Sequence, residues 1–131
     1  MRRAALWTQA VLCTLVVVAV FVQVYLIASY IFGADALDAH KTVGGITHGI
    51  EIVAGLVGIG AWWGRWGMVG LSVTLPIIGT IQVAFADSHR YVGGLHGLFA
   101  LFVLAISGIL AHRAGRAAVE AGKGASSTST A

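Results

Sequence analysis

The sequence predicts an all-α membrane protein: four transmembrane helices in one bundle, arranged as a duplicated two-helix hairpin with a parallel pseudo-two-fold repeat. Three observations lead there. The chain is 58% hydrophobic and 10% charged, against roughly 25% charged residues in an ordinary soluble domain. Its charges are clustered. No Asp, Glu, Lys or Arg occurs between Arg3 and Asp35, between Arg65 and Asp87, or between Arg90 and Arg113, and only Glu51 interrupts the stretch from Lys41 to Arg65. Finally, a phrase recurs: DAHKTVGGITHG opens at Asp38 and DSHRYVGGLHG at Asp87.

Each apolar stretch reaches the roughly 20 residues that a spanning helix needs. In hydrocarbon a single segment satisfies its own backbone only as a helix. Helix 1 is expected over about 5–32. Arg2, Arg3 and the run behind them resemble a secretory signal, with Ala-Asp-Ala at 34–36 as a cleavage site. The apolar run is about twice the usual 7–15 residues of a signal, so a retained helix is expected. Helix 2 is expected over about 41–63, ending at Trp-Gly-Arg-Trp-Gly. Helix 3, about 67–85, carries the only proline, Pro76, where a kink is expected. Helix 4 is expected over about 91–112. Residues 113–131 are expected to form a largely disordered tail, helical through the Ala-Ala-Val-Glu-Ala segment and then too rich in Gly, Ser and Thr to pack. Cys13 is the single cysteine; inside helix 1 it is expected to pack as a small apolar residue.

Orientation follows from the basic residues. Arg2, Arg3, Arg65, Arg113, Arg116 and Lys123 fall on one side of a four-pass chain, Lys41 and Arg90 on the other. The positive-inside rule then puts both termini in the cytoplasm, in a cell inner (plasma) membrane. Trp7, Trp62, Trp63 and Trp66 fall near the cytoplasmic interface, Tyr30 and Tyr91 near the outer one. The topology accounts for the basic charge, and no nucleic-acid partner is expected.

Aligning Asp38 with Asp87 matches His40 with His89, Lys41 with Arg90, and Val43-Gly44-Gly45 with Val92-Gly93-Gly94. Skipping Thr47 matches His48-Gly49-Ile50 with His96-Gly97-Leu98. Upstream, Gln23-Val24 echoes Gln82-Val83. A duplicated two-pass unit keeps its orientation, so the halves would be related by an axis along the membrane normal. Helices 2 and 4 would face each other across it, with histidines paired at matched depth. His48 lies about 12 Å along the helix from His40, and His96 about 10 Å from His89; the eight-residue step overshoots two turns by about 80°.

An ionisable residue inside the membrane marks a functional site by default, and neutral imidazole is a common metal ligand. Two facing imidazoles on parallel helices suit haem iron, because the porphyrin supplies the other ligands. Gly45, Gly49, Gly93 and Gly97 would leave room for a flat macrocycle, and Lys41 and Arg90 would meet its propionates at the rim. His40 and His89 would hydrogen-bond those propionates or ligate iron themselves. The same glycines form small-xxx-small patterns that also serve plain helix packing. Glu51, matched in the repeat by Phe99, would orient His48, relay a proton, meet a quinone, or simply hydrogen-bond a neighbouring helix as a neutral acid. His112 is expected to be solvated at the inner interface.

The segments DAHKTVGG and LHGLFAL resemble one four-helix half of heme A synthase, and small actinobacterial-type four-helix membrane proteins with D-A-H-R and L-H-x-x-x-A elements. The likeness spans roughly residues 10–112. It implies haem b between helices 2 and 4, with the family ligands falling on His40 and His96 where the repeat alone pairs His48 with His96. The family's Glu stands three residues before its histidine; here Asp38 stands two before His40. The synthase has two such halves, so its activity is not carried over, although a homodimer would mimic the doubled arrangement.

Two functions are therefore expected as alternatives. The first is a b-type cytochrome passing electrons, with quinone or a respiratory assembly as partner, so that any enzymatic role would be that of an oxidoreductase component. The second is a non-redox accessory or assembly subunit, or a transition-metal binder using His40, His48, His89 and His96. No CxxC, phosphate-binding Walker loop, Ser-His-Asp spacing or H-E-x-x-H element is present, which argues against common hydrolytic chemistry. The cytoplasmic half of the bundle is expected to be apolar throughout, which disfavours a channel.

Overall fold

The computed structural model describes residues 1–86 and 88–127; Asp87, residues 128–131 and the side chains of Arg90 and 124–127 lie outside that description. Four helices follow in order: α1 (Arg2–Ile31), α2 (Leu37–Ala61), α3 (Trp66–Ala86) and α4 (Arg90–Ser127). All four are long and apolar enough to cross a membrane. α1 and α3 each pack against α2 and α4, which leaves α2 and α4 facing each other across the diagonal of the bundle.

The turns are set by glycine. Gly33 has φ +94° and Gly64 φ +83°, the left-handed region that glycine enters without steric penalty. At Gly33 the chain closes α1 with a Schellman motif. The Gly33 amide donates to Tyr30 O at 3.0 Å and the Ala34 amide to Ser29 O at 2.9 Å. Both turn glycines lie in short connections, so consecutive helices run antiparallel. One end of the bundle therefore carries both termini and the α2–α3 turn, and the other carries the α1–α2 and α3–α4 connections.

The outside of the bundle is apolar. Val11, Leu15, Val18, Phe21 and Tyr25 on α1, Leu56 on α2, Ile77 on α3 and Leu101 on α4 are all exposed. A soluble monomer rarely shows apolar patches of that extent; lipid is the solvent that matches them. Inside, Cys13, Val16, Val20, Ala54, Leu75, Val103 and Leu110 form the central core. Leu6, Ala10, Ala61, Trp62, Ala114 and Ala118 form a second cluster toward the termini.

The termini end is not apolar throughout. Gln9 is fully buried. Its Nε2 donates to Ser72 Oγ at 2.9 Å, and its Oε1 accepts from Trp62 Nε1 at 2.6 Å. Ser72 Oγ in turn donates to Met68 O at 2.8 Å. One amide thus joins α1, the end of α2 and α3. Room for it comes from Gly58, where an added Cβ would overlap Ser72 and the Gln9 amide. One turn away, a Cβ at Gly55 would lie 2.9 Å from both Ser72 O and Pro76 Cγ. Pro76 lacks the N–H that Ser72 O would otherwise accept, and Gly55 lets α2 lie directly against that turn.

The chain beyond residue 112 also departs from expectation. It is not a largely disordered tail: α4 continues without a break to Ser127. Ala114 and Ala118 are fully buried against the first turns of α1, and an added Cβ at Gly122 would meet the Arg3 guanidinium at 2.9 Å. Packing on α1 supports the chain through Gly122, and the helix continues past the Ala-Ala-Val-Glu-Ala segment, where composition alone would end it, to Ser127. The Ser- and Thr-rich last residues, 128–131, lie outside the described residues.

Substituting Gln9→Ala leaves the Trp62 and Ser72 polar groups without their partner, and a buried group so orphaned costs about 1–3 kcal/mol. Unfolding in mixed detergent micelles should register a loss of that size. Gln9→Ala combined with Trp62→Phe should lose less than the sum of the two single changes; strict additivity would mean that the two side chains are not coupled.

Candidate functional site

The end of the bundle opposite the termini is loosely filled. Past Val20 on α1 and Gly79 on α3, and before Thr47 on α2 and Val103 on α4, no described residue is fully buried. His40 and His96 face each other there.

His40 lies in the first turn of α2 and His96 two turns into α4. Their ring centroids are 6.1 Å apart with an interplanar angle of 67°. His40 Nδ1 lies 3.2 Å from Gln23 O on α1, and His96 Nδ1 lies 2.9 Å from Gln82 O on α3. A backbone carbonyl only accepts, so each Nδ1 carries the proton and donates. Each Nε2 then presents a lone pair. A metal-ligating histidine almost always donates its other ring N–H to such an acceptor, which fixes tautomer and ring orientation. Two metal–nitrogen bonds of about 2 Å each, plus the distance from each nitrogen to its ring centre, sum to about 6 Å.

The structure brings different histidines together from those the repeat equates. His48 does not face His96. Its Nδ1 lies 3.0 Å from Glu51 Oε2 and its Nε2 3.4 Å from Thr80 Oγ1 on α3. Helix phase is the reason. The eight residues from His40 to His48 overshoot two turns by about 80°, so the two rings leave α2 toward different neighbours, one toward α1 and α4, the other toward α3. Helix starts differ as well: His40 is inside α2, whereas His89 is exposed just ahead of α4.

Glu51 is 2% exposed and braces His48 from one turn deeper. Thr80 Oγ1 donates to Pro76 O at 2.8 Å and therefore accepts from His48 Nε2–H. Gly79 makes the space: an added Cβ would overlap Glu51 Oε2 and lie 2.9 Å from His48 Nδ1. The repeat partner of Glu51, Phe99, has its ring centroid 5.5 Å from that of Phe85 on α3. The first hairpin holds an acid where the second closes with aromatic rings.

The remaining predicted residues divide. Lys41 is exposed beside His40 at the rim; the Arg90 side chain lies outside the described residues. Added Cβ atoms at Gly45, Gly49 and Gly97 would meet nothing within 4 Å, so these glycines border open space and not a packed neighbour. A Cβ at Gly93 would instead lie 2.6 Å from Ser88 O in the preceding turn. Gly44, Gln23 and Gln82 were not singled out from sequence as site residues. A Cβ at Gly44 would lie 2.9 Å from Gln23 Nε2, and Gln23 Oε1 is buried with no hydrogen-bond partner. The only sequence signal for these positions is the Gln-Val echo, and it falls on the two residues whose carbonyls hold the histidines.

Two convergent imidazoles suit haem better than a bare ion. Among the described residues no three His, Cys, Asp or Glu side chains group as a metal site, whereas a porphyrin needs only two axial ligands from the protein. The lack of a buried residue among those described at that end and the orphaned Gln23 Oε1 are compatible with such a group, whereas Gly45 and Gly49 are exposed on the face of α2 roughly opposite His40. No protein-family model, curated protein sequence or solved structure matches this chain, so the resemblance to half of a heme A synthase rests on the quoted motifs alone.

Glu51→Ala should destabilise the protein by about 1–3 kcal/mol, the cost of leaving a buried hydrogen-bonding group unpaired. Glu51→Gln, which keeps a polar group beside His48 Nδ1, should lose less. Equal unfolding midpoints for the two variants would mean that the hydrogen bond contributes nothing.

Proposed function

We propose that this chain is a b-type cytochrome of a cell inner (plasma) membrane. In this proposal haem b lies between α2 and α4 with His40 and His96 as axial ligands, and the protein passes electrons to or from quinone or within a respiratory assembly. The observation that carries the proposal is the His40–His96 pair, 6.1 Å between ring centroids, with each Nδ1 engaged by a backbone carbonyl. When bound, the haem supplies a one-electron iron couple whose potential responds to axial ligands, hydrogen bonds and burial.

The chain's own residues have separable parts in this proposal. Gln23 O and Gln82 O hold the two imidazoles in the Nδ1–H tautomer, which leaves a lone pair on each Nε2 for the iron. Gly97, beside His96, leaves no side chain next to that ligand, whereas Gly45 and Gly49 lie on the face of α2 roughly opposite His40. Lys41, with His89 from the opposite connection, would supply donors at the rim where propionates would emerge. Glu51 and His48 lie about two to three turns deeper along α2 than His40, as a hydrogen-bonded pair within the bundle. The repeated DAHK and DSHR phrases and the two Gln-Val pairs support descent from a duplicated hairpin. The excess of Arg and Lys at the termini end supports a cytoplasmic location for both termini.

Protein purified in mild detergent from haem-sufficient cells should be coloured. It should show a sharp reduced α-band and hold about one haem per chain by pyridine haemochrome, as a bis-imidazole b-type centre requires. His40→Ala and His96→Ala should each abolish the six-coordinate spectrum, whereas His48→Ala and His89→Ala should retain it. Colourless wild-type protein, or a spectrum that survives loss of His40 or His96, would refute the assignment.

Orientation is checked separately. A cysteine replacing Asp38 should react with a membrane-impermeant thiol reagent in intact cells, and one replacing Ala121 only after lysis. Cys13 is buried and should add little background. The reverse pattern would invert the topology.

A further inference from the structure

We propose that the cleft between the α2–α3 turn and the C-terminal extension of α4 is a binding site for the phosphate group of an anionic phospholipid. The site is independent of the haem proposal and lies at the opposite end of the bundle.

The cleft has a volume of about 440 Å³, within the roughly 300–1,000 Å³ typical of small-ligand sites. Three guanidinium groups line it, from Arg65, Arg113 and Arg116, against one carboxylate, Glu120. None of the three is held by a tight ion pair. Arg113 Nη1 donates to Met68 Sδ at 3.6 Å, a weak acceptor. Arg65 lies over the Trp62 ring, 5.8 Å from its centroid. Arg116 and Glu120 are 3.9 Å apart with side chains 70% and 69% exposed, a separation and exposure at which a pair contributes little. Guanidinium is the group best matched to phosphate oxygens, and three arginines line this one cleft with little of their charge compensated by ion pairs among the described residues.

Position selects a lipid over a soluble anion. Arg113 is the first charge after the uncharged run that begins at Tyr91, so the cleft opens where α4 leaves the hydrocarbon. Its wall is part apolar, from Trp62 and Met68. The exposed indoles of Trp63 and Trp66 stand beside it, 5.5 Å between ring centroids, and indoles prefer the headgroup level. Basic pockets between transmembrane helices at this level take anionic lipid headgroups.

The test uses the full-length protein in zwitterionic or non-ionic micelles. It is titrated with short-chain phosphatidylglycerol, short-chain phosphatidylcholine or inorganic phosphate, and bound ligand is counted by native mass spectrometry. Phosphatidylglycerol should bind at least about tenfold tighter than phosphatidylcholine, and Arg65→Gln and Arg113→Gln should each weaken it about fivefold. Glu120→Gln, which removes the one carboxylate, should strengthen binding. Arg3→Gln removes the same charge from the same end but outside the cleft, and should change binding less than about twofold. Equal affinity for the two lipids would overturn the proposal. So would an equal loss in Arg3→Gln, which would mean a diffuse surface field, or competition by inorganic phosphate at lipid-like concentration, which would mean a free-anion site.

Discussion

The buried amide of Gln9 holds the bundle at one end, and the rest of the architecture is arranged around it. Its two ends meet partners on two other helices, Ser72 on α3 and Trp62 at the end of α2. In lipid there is no hydrophobic drive between helices, so close packing and interhelical hydrogen bonds carry association. Gly55 and Gly58 serve both: they bring α2 against Ser72 and Pro76 and leave the volume that the amide occupies. Ala114 and Ala118 extend the same closely packed end along α4. The helices are pinned where the termini are, and they are free to stand apart at the other end.

That asymmetry gives the histidine end its character. None of the described residues there is fully buried, yet the bundle places two imidazoles across its diagonal and orients both with carbonyls of the neighbouring helices. Between the pinned end and the histidine end lies the Glu51–His48–Thr80 chain of contacts, which runs from a buried acid that must find a partner through a half-buried imidazole to an exposed hydroxyl. A tightly packed end, a polar contact between helices and a histidine end with no buried residue among those described thus follow one another along the bundle axis.

Much of this was legible beforehand, and the departures have identifiable causes. The four helices were readable because each apolar run is bounded by charge and matches the thickness of hydrocarbon. That His40, His48, His96 and Glu51 need polar partners within the bundle was readable because polar groups in such runs are rare. What the repeat suggested about pairing did not survive helix phase. His40 and His48 are written as one phrase, but the 80° or so between them sends them to different helices. Composition also ended the helix after the Ala-Ala-Val-Glu-Ala segment, whereas α4 runs on to Ser127.

The sequence by itself determined the solvent, the number of spans and which residues are too polar for their surroundings, because those properties depend on local composition and on the width of a bilayer. Only the tertiary structure decided who meets whom. It set His40 against His96, His48 against Glu51 and Thr80, and Gln9 between Ser72 and Trp62. These contacts depend on the rotation of each helix about its axis and on which helices share a diagonal. Both are settled by where glycine allows close approach, and no single segment carries that information.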